Sequence, residues 1–334
     1  MASIRDVARR AGVSISTVSA VISGKKRVSS ELQQRVLKAI EELDYRPNAL
    51  ARAIFTRRTK TIAFLSPSVS NPGFANALRG AEERARQAGY SVLVGNTDGS
   101  REILQEHCDR LLEMRVDGVL VSLTWEVTSS SVLEQFHRHN IPVVGLSGGR
   151  PVKGIPCFLA DEEASGEELG RYLGRLGHRR CAFVGPADSA VTSLRIRGLR
   201  RGLAHSEGEL PDELVVQTDV INDEAGKESV QRLLAGQSDF TCIVVFNDYM
   251  AAGVLESLRE QGFRVPAQIS VATFGDFYAR LTYPKLTTMA YPETDAGRMA
   301  AEALLAILEG KEVPPETTLI KTRLVLRNST HTVA

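Results

Sequence analysis

The spacing of apolar residues changes at position 60. Up to that point they recur three or four apart, the helical period. Ser3-Ile4-Arg5-Asp6 reads as a capping box that opens a helix with Ile4, Val7, Ala8 and Ala11 on one face, and Gly12 ends it. Beyond Val13, Ser14 is placed to cap a second helix running to Ser23. Val18, Val21 and Ile22 give that helix an apolar face, and Ile15, Ser16, Ser19 and Ala20 give it a slim uncharged one. No carboxylate lies in residues 13–23, so nothing there repels a phosphate backbone. A third helix is capped by Ser29 or Ser30, with Leu32, Val36, Ile40 and Leu43 spaced to close a small core, and it stops at Asp44-Tyr45-Arg46-Pro47. Helix, glycine turn and helix make a helix-turn-helix, whose second member fits the major groove of a duplex.

After residue 60 the rhythm is that of a different fold. TIAFLS, SVLVG, GVLVS, PVVGL, CAFVG, CIVVF and ISVATF are short β-rich runs, and stretches of helical period such as 74–87, 103–114 and 250–261 separate most of them. Strand alternating with helix predicts α/β architecture, a parallel sheet covered on both faces. The runs are too many for one compact sheet, so two doubly wound lobes are expected, with ligands bound beyond the carboxyl ends of the strands. Candidate ligand residues fall at such ends. Asn71 and Phe74 follow TIAFLS, Asn247 and Asp248 follow CIVVF, Asp276 follows ISVATF, and Arg195 lies early in a helix over 193–203. An Arg fork and an Asn amide can fix hydroxyls, carbonyls or an anion. Asp248 has a second reading as a cap of the next helix, and Arg195 a second reading as a surface charge.

Charge sharpens the division. The 334 residues carry a formal net charge of only +1, yet residues 1–60 hold thirteen Lys or Arg against five Asp or Glu. The remainder is acidic by seven, so a polyanion partner is implied for the first part alone. Between the two parts, residues 47–54 place Leu50 and Ile54 on one face of a helix too short to be stable by itself. Arg52, Arg57, Arg58 and Lys60 are placed to meet phosphates or groove edges; the plainer reading is a flexible basic linker. Cys108, Cys157, Cys181 and Cys242 are widely spaced, which points to buried free thiols rather than metal ligands. None of the six histidines joins a catalytic signature, and there is no Walker loop or G-x-G-x-x-G. No enzyme activity, cofactor or metal is expected. With no signal peptide and no bilayer-length apolar run, a cytoplasmic protein is expected, in the bacterial nucleoid if the head binds DNA.

IRDVARRAGVS, STVS, YRPNALARAI and the layout of the whole chain resemble the LacI/GalR (lactose and purine repressor) family of bacterial transcription regulators. The resemblance implies a headpiece over 1–46 and a hinge helix and linker over 47–60. It implies one lobe from 61–160 with 291–321 and another from 161–290 with 322–334, resembling type I periplasmic binding proteins. It places Ile15, Ser16 and Ala20 against base edges, and Thr17, Ser19, Lys25, Lys26 and Arg27 on phosphates, the lysines also within reach of bases. It has Asn48, Leu50 and Arg52 in a hinge that orders on the operator, with Ile54 as the apolar wedge in the minor groove. Arg195 and Asn247 match effector-binding positions. Two departures stand out: Gly275 replaces the family's usual Asp, and Gly73 replaces a frequent aromatic. Loss of that carboxylate, with Arg195 and Arg197 kept, predicts a pocket of positive tilt and an acidic or phosphorylated effector rather than a plain sugar. The expected protein is a homodimeric repressor of a near-palindromic double-stranded operator, controlled by a small-molecule effector. The rival readings are a small-molecule-binding or transport component, and a regulator controlled by a corepressor protein.

Overall fold

The computed structural model describes residues 2–23, 28–45, 58–187, 189–236 and 239–333, without the side chains of Ser23 and Trp125. Contacts divide the chain into two compact units, Met1–Lys60 and Thr61–Ala334.

The first unit holds α1 (Ile4–Ala11), α2 (Ile15–Ser23) and α3 (Ser30–Glu42). Ser3 and Asp6 form the reciprocal capping box, and Gly12 ends α1 at φ 64°, a left-handed conformation suited to glycine. Ser14 Oγ accepts the Thr17 amide at 3.1 Å, and Ser29 caps α3. Val7, Ala8, Ala11, Val18, Val36 and Ala39 form the buried core, with Val13, Val21, Ile22, Ile40 and Leu43 packed against it. Leu32, expected in that core, is only half-buried and lies outside it, while Ala39 is buried within it. Arg35 of α3 donates to the Ala11 carbonyl at 2.7 Å, which ties the turn between α1 and α2.

The second unit contains two six-stranded sheets. In the first the order is β11-β5-β4-β3-β1-β2, with β1 Thr61–Ser66, β2 Ser91–Asn96, β3 Gly118–Ser122, β4 Val143–Leu146, β5 Cys157–Ala160 and β11 Thr317–Ile320. In the second it is β12-β10-β9-β8-β6-β7, with β6 Cys181–Pro186, β7 Val215–Thr218, β8 Cys242–Val245, β9 Ser270–Phe274, β10 Thr287–Ala290 and β12 Arg323–Val325. Every ladder is parallel except β10 with β12. The seven apolar runs all become strands. The pattern did not reveal β5, β7, β10, β11 or β12, strands of three or four residues, most with polar members such as Thr317-Thr318 and Gln217.

Helices cover both faces of each sheet. On the first lie α4 (Pro72–Gln87) and α12 (Glu293–Leu308) opposite α5 (Arg101–Glu113), α6 (Trp125–Thr128) and α7 (Val132–Arg138). On the second, α8 (Glu162–Arg175) and α9 (Ala190–Ala204) lie opposite α10 (Asp223–Ala235) and α11 (Asp248–Glu260). The period-2 alternation of β1 shows why both faces are buried: Ile62 and Phe64 enter one core, Ala63 and Leu65 the other. Helix α9 lies so close on α8 that a Cβ at Gly198 would sit 2.1 Å from the Glu163 carbonyl oxygen. That approach brings Arg195 on α9 to Glu162 at the start of α8. The chain passes between the sheets after β5, after β10 and after β11, and the four cysteines are buried free thiols.

Candidate functional site

Two surfaces carry candidate chemistry. On α2 the inward face is closed: Val18 is fully buried, and Val21 and Ile22 pack on the core. Its other face is open, with Ile15 46% exposed, Ser16 and Ser19 exposed, and Thr17 and Ala20 half-buried. The Ser14 hydroxyl lies 2.7 Å from Ser16 Oγ and 2.8 Å from Thr17 Oγ1, so three hydroxyls are knotted at the start of the helix. No acidic residue occurs on α2. This face can lie against a polyanion without charge repulsion, and its apolar members can meet thymine methyls. Arg58 and Lys60 are exposed. Lys25, Lys26, Arg27, Asn48, Leu50, Arg52, Ile54 and Arg57 lie outside the described residues.

The second surface is built from strand ends between the two sheets. A Cβ at Gly149, in the loop after β4, would stand 2.7 Å from the Val191 amide nitrogen of α9, so the two lobes meet here. Asn71 caps α4 by accepting the Gly73 amide at 2.9 Å, and Phe74 is half-buried in the first turn. Asn247 caps α11 by accepting the Met250 amide at 2.9 Å. Its neighbour Asp248 is therefore not the cap. Buried, it accepts the amides of Phe277, Tyr278 and Ala279 at 2.7, 2.6 and 3.1 Å and pins the loop after β9. Burial raises its carboxyl above the usual range, against the pull of those three donors.

Arg195 is no surface charge. Its side chain is 12% exposed and pairs at 2.7 Å with Glu162, 9% exposed. It also donates to the Phe246 carbonyl and lies 4.0 Å over the Phe274 ring. Arg197 turns to the surface and pairs with Glu163. Asp276 is held by Arg327 at 2.5 Å. Glu293, at the start of α12, has an oxygen 3.9 Å from where a Cβ on Gly73 would sit. Burial first, then the charges of Asp248 and Asp276, push its carboxyl up to about 7. The positive tilt expected from Arg195 and Arg197 is absent, because Glu162 neutralises one and the other points away. Gly275 has φ +86° with an Asp248 oxygen 3.2 Å from its would-be Cβ, so a side-chain carboxylate there would be strained and repelled.

The family model for bacterial regulatory proteins of the lacI family matches residues 3–48, and that for a periplasmic binding protein-like domain matches residues 171–330. The HTH-type transcriptional repressor PurR of Mannheimia succiniciproducens is 32% identical over the full length of both chains. The structure of the lac repressor dimer bound to operator and the anti-inducer ONPF covers 99% of each chain at 26% identity, with a TM-score of 0.86. A complex of the transcriptional regulator CelR with cellobiose covers 98% of this chain and 100% of its own, at 26% identity and a TM-score of 0.74.

The chain belongs to the lacI family.

It is a DNA-binding transcriptional regulator with a periplasmic-binding-protein-like body. Among the described residues no helix is long and apolar enough to cross a membrane. In this lacI-family body Asn71 and Asn247 cap the helices that follow β1 and β8, Phe74 lies in the first turn of α4, and Arg195 and Asp276 are already paired with Glu162 and Arg327. Sequence reading missed Glu162, Tyr291, Glu293 and Arg327. Glu162 follows a strand the pattern did not reveal, and so do Tyr291 and Glu293; Arg327 is defined only by its partner Asp276.

Proposed function

We propose that the protein represses transcription from a near-palindromic operator as a homodimer, under control of a small hydroxylated molecule between its lobes. The limits that go with this reading are 1–46 for the head, 47–60 for the hinge, 61–160 with 291–321 for one lobe and 161–290 with 322–334 for the other. Ile15, Ser16 and Ala20 read base edges. Thr17, Ser19, Lys25, Lys26 and Arg27 grip phosphates, and Asn48, Leu50, Arg52 and Ile54 act in the minor groove. Asn71, Phe74, Arg195, Asn247 and Asp276 serve the effector. The protein works in the bacterial cytoplasm by binding alone, with no catalytic step.

The observation that carries this reading is the open, carboxylate-free face of α2 on a head that matches the family model over residues 3–48. The sugar-bound relative supports a polyhydroxylated effector. Effector binding biases lobe closure, and closure biases whether two heads can sit on one duplex. Selection of bound genomic duplexes with and without small-molecule metabolites tests it. The expected result is one inverted-repeat motif whose occupancy changes with the metabolites; a pool with no enriched motif would overturn it.

A further inference from the structure

The interlobe rim is acidic where an acid has no obvious use. Among the described residues, its strand ends bring together the carboxyls of Glu162, Asp248, Asp276 and Glu293 and the guanidinium groups of Arg195 and Arg327. Glu162 and Asp276 are consumed by the two arginines, and Asp248 by three backbone amides. Among the described residues Glu293 forms no ion pair. It stands at the point where the chain passes from one lobe to the other, its oxygen facing Gly73 of the first lobe and its charge felt with Asp248 and Asp276 of the second. An independent observation marks the same place. Among the described residues the buried Tyr291 hydroxyl oxygen has no hydrogen-bond partner, and the charges of Glu162 and Glu293 both act on it. A buried polar atom without a partner is costly and rare, and this one lies in the same crossover from β10 to α12, two residues before Glu293.

We propose that the effector carries a protonated nitrogen, received by Glu293 and the Tyr291 hydroxyl, on a hydroxylated frame; an amino sugar is the simplest class. This rests on the reading of the cleft as the effector site. An ammonium supplies three N–H donors to a site that has spare acceptors, and it brings the positive charge that the unmatched carboxyl lacks. The Arg195 guanidinium is already spent on Glu162, the Phe246 carbonyl and the Phe274 ring, so a phosphate or carboxylate would meet negative charge with little in return.

The test uses the full chain incubated with a polar metabolite extract of bacterial cells, freed of unbound molecules by ultrafiltration, with retained molecules identified by mass spectrometry. The expected result is a retained molecule that carries a protonated amine at neutral pH, with retention about ten-fold or more lower in Glu293→Gln, equivalent to a tenfold weaker affinity. Folding of that variant is checked by circular dichroism. Should it fail to fold, Tyr291→Phe removes only the unpartnered hydroxyl and is expected to lower retention in the same direction. A retained anion or a nitrogen-free neutral molecule overturns the proposal and leaves the cleft as the effector site. Undiminished retention by the variants overturns it too. No molecule retained by the unmodified chain overturns the effector-site reading itself.

Discussion

The head and the cleft put polar chemistry to opposite uses. In the head, the residues assigned to recognition are outside the packing: Ile15, Ser16 and Ser19 are exposed, and the core beneath is six small or medium apolar side chains. In the cleft, the candidate residues hold the fold together. Arg195 joins α9 to α8 and to the end of β8, Asp248 pins the loop after β9, and Asp276 fastens the segment after β12. A recognition surface meant for a rigid duplex can be swapped without cost to the protein. A cleft that closes around a small molecule ties ligand contacts to the stability of the closed form, so the two regions should answer mutation differently.

The strongest contrast is predicted at Arg195. Arg195→Met leaves Glu162 buried and unpaired, and breaking such a pair costs about 3–5 kcal/mol. The body's unfolding midpoint in urea should fall accordingly, and a variant as stable as the unmodified protein would show that the pair does not brace α9 on α8. Next is acid sensitivity. His178 is fully buried, with Nδ1 2.7 Å from Thr241 Oγ1, and burial, then the neighbouring His331, lowers it to about 4. Its folded pKa lies below the unfolded value of 6.5, so the unfolded chain binds the extra proton. Stability should therefore be full above about pH 6.5 and fall by roughly 3 kcal/mol as the pH drops towards 4. His178→Asn should flatten that part of the profile. Glu293 gives the opposite slope: its folded pKa is raised from 4.5 to about 7, so its share of stability is full below 4.5 and is lost as pH rises through 7. Thermal melts from pH 5 to 8 should show this loss, and Glu293→Gln should abolish it.

These contrasts bear on what the linear chain can reveal. Caps and turns in the head were legible because their partners lie within three residues, as Ser3 with Asp6 and Ser14 with Thr17. Seven strands were legible because their runs are continuously apolar, six of them buried on both faces and edge strand β2 only in part. The short strands were not: TTLI and VVQT look like loops until a parallel neighbour supplies their hydrogen bonds. The wiring of the cleft was least legible. Arg195 meets Glu162 from 33 positions away and Arg327 meets Asp276 from 51, and only the helix packing and chain crossings create those distances. The sign of the cleft's charge was therefore misjudged from Arg195 and Arg197 alone.

Smaller effects separate the head's scaffold from its reading face. Ser3→Ala removes one half of the capping box and should cost about 1 kcal/mol in the head's stability. Ile15→Ala touches no core contact and should change stability by less than about 0.5 kcal/mol. It should weaken operator binding by about 1–3 kcal/mol if the side chain meets a base. Equal affinity for the two proteins would remove Ile15 from the reading face.

The most direct measurement is the equilibrium affinity of the full chain for a selected operator duplex, by fluorescence anisotropy across a salt series, with Ser16→Glu alongside. The account predicts a linear fall of log affinity with log salt, as expected when phosphates are neutralised. It also predicts that the added carboxylate on α2 abolishes specific binding while the unfolding midpoint stays unchanged. A salt-independent affinity, or a Ser16→Glu protein that binds the operator as well as the unmodified chain, would contradict it.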